Sequence, residues 1–99
     1  MFYNFSIVIP VFNEEKNLEI LNKEIHYNLS NHYRFELIFV NDYSSDNSLN
    51  ILENLKKKFK FTIINNQINL GQSKSLFVGI NKTSSNTIVT LDGDLQNNP

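Results

Sequence analysis

Hydrophobic residues in this chain fall into four short, dense runs, separated by stretches in which they recur every three or four positions. The dense runs are Ser6-Ile7-Val8-Ile9, Phe35-Glu36-Leu37-Ile38-Phe39-Val40, Phe61-Thr62-Ile63-Ile64 and Thr87-Ile88-Val89-Thr90-Leu91. All have strand length and are rich in β-branched and aromatic residues. The first shows no alternation, as in a strand buried on both faces. Pro10 lacks a ladder donor and is expected to end it.

Between the runs the spacing is helical. Asn13 is an N-cap candidate, with Glu14 and Glu15 in the first turn where acids favour a helix start. Leu18, Leu21, Ile25 and Leu29 form the inner stripe of a helix reaching about Asn28, with Lys16, Lys23 and Glu24 outward. Ser44, Ser45 or Asp46 can cap a second helix whose inner face carries Leu52, Leu55 and Phe59. Gly71 opens a third helical segment with Leu76, Phe77 and Ile80, in which Gly79 allows close approach to the sheet. The pattern β-α-β-α-β-α-β predicts an α/β fold: a Rossmann-like parallel sheet with flanking helices, joined by right-handed crossovers. The expected strand order is 3-2-1-4. Ligands in such sheets bind beyond the carboxyl ends of the strands, where the order reverses. That crevice lies between Pro10-Val11-Phe12-Asn13-Glu14 and Asp92-Gly93-Asp94, with Asp42 alongside.

Composition narrows the field. Ninety-nine residues with 40% hydrophobic and 19% charged content suit one small globular domain. A net charge of −1 offers no footprint for nucleic acid. Lys56-Lys57-Lys58, the only basic run, is placed at a helix C-terminus, where cations complement the dipole. The absence of cysteine excludes disulfides and thiolate zinc sites, with a reducing cytosol as the default compartment. Neither a signal peptide nor a run long enough to span a membrane is read in these residues.

Two carboxylates one residue apart, Asp92 and Asp94, follow the fourth strand. At about 4 Å, like charges repel by roughly 4 kcal/mol at an effective dielectric near 20. A hard divalent cation bound through oxygen offsets that; a polar turn capping the strand is the plain alternative. Asp42 can bind ligand or simply cap the next helix. Glu14 can serve a site or only the helix dipole, and Phe12 can serve a site or the core. Asn69-Leu70-Gly71-Gln72-Ser73 presents amides at a helix start, a seat for an anion. His26 and His32 are expected at the surface. An EF-hand beginning at Asp92 is rejected, because Asn97 stands where that loop needs glycine and no closing glutamate follows. A phospho-receiver domain is disfavoured, because Val11-Phe12-Asn13 occupies the place of its acidic pair.

Four stretches, in order, resemble the N-terminal, nucleotide-binding half of family 2 glycosyltransferases of the GT-A fold. They are Ser6 to Glu15, Val40-Asn41-Asp42-Tyr43-Ser44-Ser45-Asp46, Asn69-Leu70-Gly71 with Gly79, and Asp92-Gly93-Asp94. The ending Asp92 to Pro99 is similar to the D-x-D-L-Q-x-x-P of polyprenol-phosphate sugar transferases, such as the dolichol-phosphate mannosyltransferases and bactoprenol glucosyltransferases. The resemblance implies that Pro10, Phe12, Glu14, Val40 and Asp42 hold the nucleoside. It puts Asp92 and Gly93 at the ribose and diphosphate, and Asp94 with Gln96, Asp92 sharing, on Mg²⁺ or Mn²⁺. Asp92 and Asp94 are thereby the catalytic pair. Tyr43 stands where the family carries glycine, a departure that strains the turn if positive φ is needed there. Phe12 replaces a tyrosine, Ile68 an arginine and Lys74 a small residue.

The implied reaction is inverting transfer of a sugar from a nucleotide diphosphate sugar to a polyprenyl phosphate at the cytoplasmic face of a membrane. The metal supports the departing diphosphate. Alternatives are transfer to a saccharide hydroxyl, which needs a further base carboxylate, or a non-catalytic nucleotide-binding fragment. Residues 1–99 are expected to be the donor-binding part alone, cut just after the D-x-D motif and inactive without an acceptor half.

Overall fold

A computed structural model gives the structure of the chain and describes residues 2–93. The elements run β1 (Phe5–Val11), α1 (Leu18–Leu29), β2 (Phe35–Asn41), α2 (Ser48–Leu55), β3 (Thr62–Asn65), α3 (Gln72–Ile80) and β4 (Ile88–Thr90). The strands form one parallel sheet in the order β3-β2-β1-β4, the order expected from the pattern. β1 is central and buried on both faces. Its odd residues Ile7, Ile9 and Val11 join Leu37, Phe39, Leu52 and the α1 stripe Leu18, Leu21 and Ile25 on one face. Val8, with Ile38 and Val40, points to the other face, beneath α3. Among the described residues no helix is long and apolar enough to cross a membrane.

Several boundaries differ from the pattern's prediction, each for a physical reason. β1 runs through Pro10 to Val11. Val11 accepts from the Asp42 N–H on the β2 side, whereas the Ser6 N–H and the Val8 carbonyl bond to β4. The Pro10 nitrogen therefore faces β4, beyond the last bond of that ladder at Leu91, where no donor is required. α1 begins at Leu18 rather than at Asn13, because Asn13 lies at φ 54° with its side chain bonded across to the next loop. β3 starts one residue late; Phe61 is buried against Phe39, edge to face at 4.9 Å. β4 spans only three residues at the sheet edge.

Side chains on α3 and α1 complete the packing. Phe77 points outward, 65% exposed, while the small residues Ser75 and Gly79 take the inward face of α3. A Cβ on Gly79 would stand 2.4 Å from Val8 Cγ1 and 2.9 Å from Val40 Cγ2, so only glycine lets the helix lie this close. His26 is half-buried instead of on the surface, with its ring 4.8 Å from that of Phe59 and 5.5 Å from that of Phe35. Burial lowers its pKa below the ordinary 6.5 by disfavouring the charged form. His32 is exposed, as expected.

Candidate functional site

The loops that follow β1, β2 and β4 meet at the carboxyl end of the sheet, around a cleft of about 350 Å³. The first two are bonded to each other. Asn13 N–H donates to Ser44 Oγ (3.0 Å), Glu14 N–H to Ser48 Oγ (2.9 Å) and Glu15 N–H to Asp46 Oδ2 (3.2 Å). In return Asn13 Oδ1 accepts from the Ser45 and Asp46 amides, at 2.8 and 3.3 Å, and Glu15 Oε1 accepts from Asn47 N–H at 2.8 Å. Asp46 Oδ1 also accepts from Ser48 N–H at the start of α2, whose N-cap is Asn47, one residue beyond the candidates Ser44, Ser45 and Asp46. Burial by itself would raise the Asp46 pKa, but these donors outweigh it and bring the pKa below the usual carboxylate value.

Asp42 is buried, and its carboxylate is turned toward the β3–α3 loop. Oδ1 accepts from Leu70 N–H (2.7 Å) and Asn66 Nδ2 (3.0 Å), and Oδ2 accepts from Gly71 N–H (2.9 Å). Asn66 Nδ2 also reaches Ser75 Oγ on α3 (3.0 Å). Burial pushes the Asp42 pKa up, and the bonds to Leu70, Asn66, Gly71 and Ser75 more than reverse it. The amides read as an anion seat are thus occupied at Leu70 and Gly71 by the chain's own carboxylate. Asp42 lines the cleft, yet its direct work is to hold the Asn69–Gly71 wall.

The sequence candidates separate into three groups. Pro10, Phe12, Glu14, Asp42, Asp92 and Gly93 line the cleft together. Val40 does not: its side chain is fully buried beneath Gly79, because inward alternation along β2 sends it into the core. Asp94 and Gln96 lie outside the described residues. Asp92 is exposed and accepts from Gln72 Nε2 at 3.0 Å. Gly93 is buried, and a Cβ there would come within 3.0 Å of the Pro10 carbonyl. Glu14 Oε1 accepts from Asn17 Nδ2 at 3.2 Å. Phe12 is 48% exposed, so it rims the cleft and is not part of the core. Tyr43 sits at φ 59°, the left-handed region that its replacement of glycine called into question. For a non-glycine residue that costs of order 1–3 kcal/mol.

Asn66 and Ser75 were not anticipated as parts of this end of the molecule, and Gln72 was anticipated only through its amide, not through the side chain that reaches Asp92. For Asn66 a signal existed: it follows β3 as Asp42 follows β2. Among the described residues, no three His, Cys, Asp or Glu side chains group closely enough to hold a metal ion. Of the carboxylates at the cleft, Asp42 is engaged by Leu70, Asn66 and Gly71, and those of Glu14 and Asp92 are hard oxygen donors of the kind Mg²⁺ or Mn²⁺ takes.

A parallel sheet in this order, with a cleft lined by carboxylates where the order reverses, is an α/β domain of the doubly wound kind. The chain belongs to glycosyl transferase family 2, whose sequence model matches residues 6–99. It is 41% identical over 98 residues to an undecaprenyl-phosphate 4-deoxy-4-formamido-L-arabinose transferase of Proteus mirabilis (strain HI4320), a match covering 95% of this chain and 30% of that protein. The chain thus spans about 30% of the length of such relatives. Among solved structures it is similar to S. aureus TarS 1-349 in complex with UDP-GlcNAc (TM-score 0.77, 26% identity, 91% of this chain and 26% of that one). The mannosyltransferase PcManGT of Pyrobaculum calidifontis, in complex with GDP-Man and Mn²⁺, shares the fold (TM-score 0.83, 17% identity, 95% of this chain and 28% of that one).

Proposed function

We propose that residues 1–99 form the donor-binding part of a metal-dependent, inverting glycosyltransferase that moves a sugar from a nucleotide diphosphate sugar to a polyprenyl phosphate. The observation that carries this reading is the meeting of the β1, β2 and β4 loops at one cleft, with Phe12, Glu14, Asp42, Asp92 and Gly93 on its walls. The undecaprenyl-phosphate transferases among its relatives support the lipid phosphate as acceptor. In this reading Pro10, Phe12 and Glu14 border the nucleoside, and Asp42 and Val40 support the facing wall, Asn69 to Gly71 and α3, from behind. Asp92 and Gly93 border the ribose and diphosphate. Asp92, Asp94 and Gln96 hold Mg²⁺ or Mn²⁺, which when bound neutralises charge on the departing diphosphate.

An acceptor phosphate is ionised at neutral pH and needs little help from a general base. The reaction belongs at a membrane surface, on its cytoplasmic side. Transfer requires donor and acceptor to be held in line, a contribution of roughly 7–11 kcal/mol. The donor-binding part by itself is therefore expected to bind nucleotide without transferring sugar.

Calorimetric titration tests the site. UDP or GDP should bind the 99-residue chain at least tenfold more tightly with Mn²⁺ than with a chelator. Asp92→Asn and Asp94→Asn should remove that difference, whereas Glu53→Gln, on the exposed side of α2, should keep it. Affinity that is indifferent to metal and unchanged in both aspartate variants would overturn the assignment.

A further inference from the structure

A shallow depression of about 610 Å³ adjoins the cleft and shares Phe12 and Asn69 with it; its other walls are Tyr43, Ser44 and Ser45. Tyr43 is an unusual residue for this place on two counts. Its backbone is held at φ 59°, a region where glycine or asparagine costs less. Its ring is 60% exposed, so it recovers little by burial. A side chain that strains the turn and adds little to the core contributes chiefly through what its ring can touch. Phe12, 48% exposed, lines the same depression, together with the polar residues Ser44, Ser45 and Asn69. Aromatic faces with polar groups at their edges suit a flat, heteroaromatic ring, which stacks by its faces and hydrogen-bonds at its rim.

We propose that Tyr43 is a specificity-determining residue that packs its ring against the nucleobase of the donor, together with Phe12. The inference rests on the donor-site reading above and deepens it. The occupant is the base because the depression shares Phe12 and Asn69 with the cleft and has neither Asp92 nor Gly93, where the diphosphate is assigned, among its walls. A ring here extends the base contact beyond Phe12, and its loss is felt by nucleotides and not by their phosphates.

The test separates ring from turn. The parent chain, Tyr43→Gly, Tyr43→Asn and Tyr43→Phe are each titrated with UDP, GDP and pyrophosphate in the presence of Mn²⁺, and their melting temperatures are measured. Glycine and asparagine accept positive φ, so both variants should melt at or above the parent temperature. Both should bind at least one of the nucleotides about tenfold more weakly, a difference of about 1.4 kcal/mol, with pyrophosphate unchanged. Tyr43→Phe should stay within about twofold of the parent. Unaltered nucleotide binding in both ringless variants overturns the inference, as does an equal loss for pyrophosphate or a loss that tracks a lowered melting temperature. Failure of the parent chain itself to bind nucleotide with Mn²⁺ would instead remove the donor-site reading, and this inference with it.

Discussion

The two sides of the cleft are built on different principles. The β1–α1 and β2–α2 loops are sewn together by reciprocal backbone-to-side-chain bonds through Asn13, Glu15, Ser44, Asp46 and Ser48. They sit on the better-filled face of the sheet, where Ile7, Ile9, Phe39, Leu18, Leu21, Ile25 and Leu52 are buried together. The opposite wall, Asn69 to Gly71 leading into α3, rests on the thinner face, where only Val8, Ile38 and Val40 form the buried cluster. One carboxylate, Asp42, and one missing side chain, at Gly79, keep that wall in place. One wall is thus secured by bonds spread over several residues, and the other by bonds concentrated on Asp42 together with one close approach at Gly79.

The sharpest way to break this contrast is Asp42→Ala. It removes the acceptor of the Leu70 and Gly71 amides and one of the two acceptors of Asn66 Nδ2, which keeps Ser75 Oγ, at roughly 1 kcal/mol or more for each lost bond. We expect a stability loss of roughly 3 kcal/mol in chemical denaturation, and hydrogen exchange should rise first in α3. The acid response carries the same information. The folded pKa of Asp42 lies below its ordinary 3.8, so its stabilisation is complete above that value and is lost as pH falls through the folded pKa. Asp46 adds to the parent's acid sensitivity with the same sign. Asp42→Asn should therefore unfold less steeply than the parent below pH 3.8. An α3 whose exchange is unaltered in Asp42→Ala would show that the wall does not hang on this carboxylate.

The same contrast explains what was legible in the sequence. Periodicity reports which face of an element is buried, so the four strands, their order and the α1 stripe could be read directly. The reversal point then located the cleft, and with it Phe12, Glu14 and Asp92. Contacts between loops some thirty residues apart leave no periodic trace. Asn13 therefore read as a helix cap when its oxygen serves the next loop, and nothing in the sequence showed that the Asp42 oxygens accept from Leu70 and Gly71. Pro10 read as a strand end because its tolerance depends on how far β4 extends, a property of a partner strand. The inward face of α3 could not be read from pattern, because small Ser75 and Gly79 leave no hydrophobic signal there while Phe77 lies outside.

A smaller effect is expected where α3 meets the sheet. Gly79→Ala would bring a methyl group to 2.4 Å from Val8 Cγ1, so the helix must lift or Val8 must shift. Overpacking of this kind costs typically 1–3 kcal/mol, set against a gain of up to about 1 kcal/mol in helix propensity. A net loss of roughly 1–2 kcal/mol follows, and Val8→Ala in the same chain should recover part of it by making room. If Gly79→Ala alone proves neutral or stabilising, the thin face has slack and the α3 wall is not pinned there.

The smallest expected effect falls on the sewn wall. Asn13→Ala removes the oxygen that accepts from Ser45 and Asp46 and leaves alanine at φ 54°. Those amides are exposed, so water replaces most of what is lost, and the cost reduces to about 1 kcal/mol of bond and backbone together. The remaining links, Glu14 to Ser48, Glu15 to Asp46 and Asn47 to Glu15, do not pass through Asn13 and should hold the two loops in register. Asn13→Gly distinguishes the two contributions, since it loses the oxygen but relieves the φ, and it should fall between parent and alanine. Nucleotide binding in both variants should stay within about threefold of the parent, in contrast to Asp42→Ala. A loss from Asn13→Ala as large as that from Asp42→Ala would show that the sewn wall also depends on a single residue, and the contrast between the two sides would not stand.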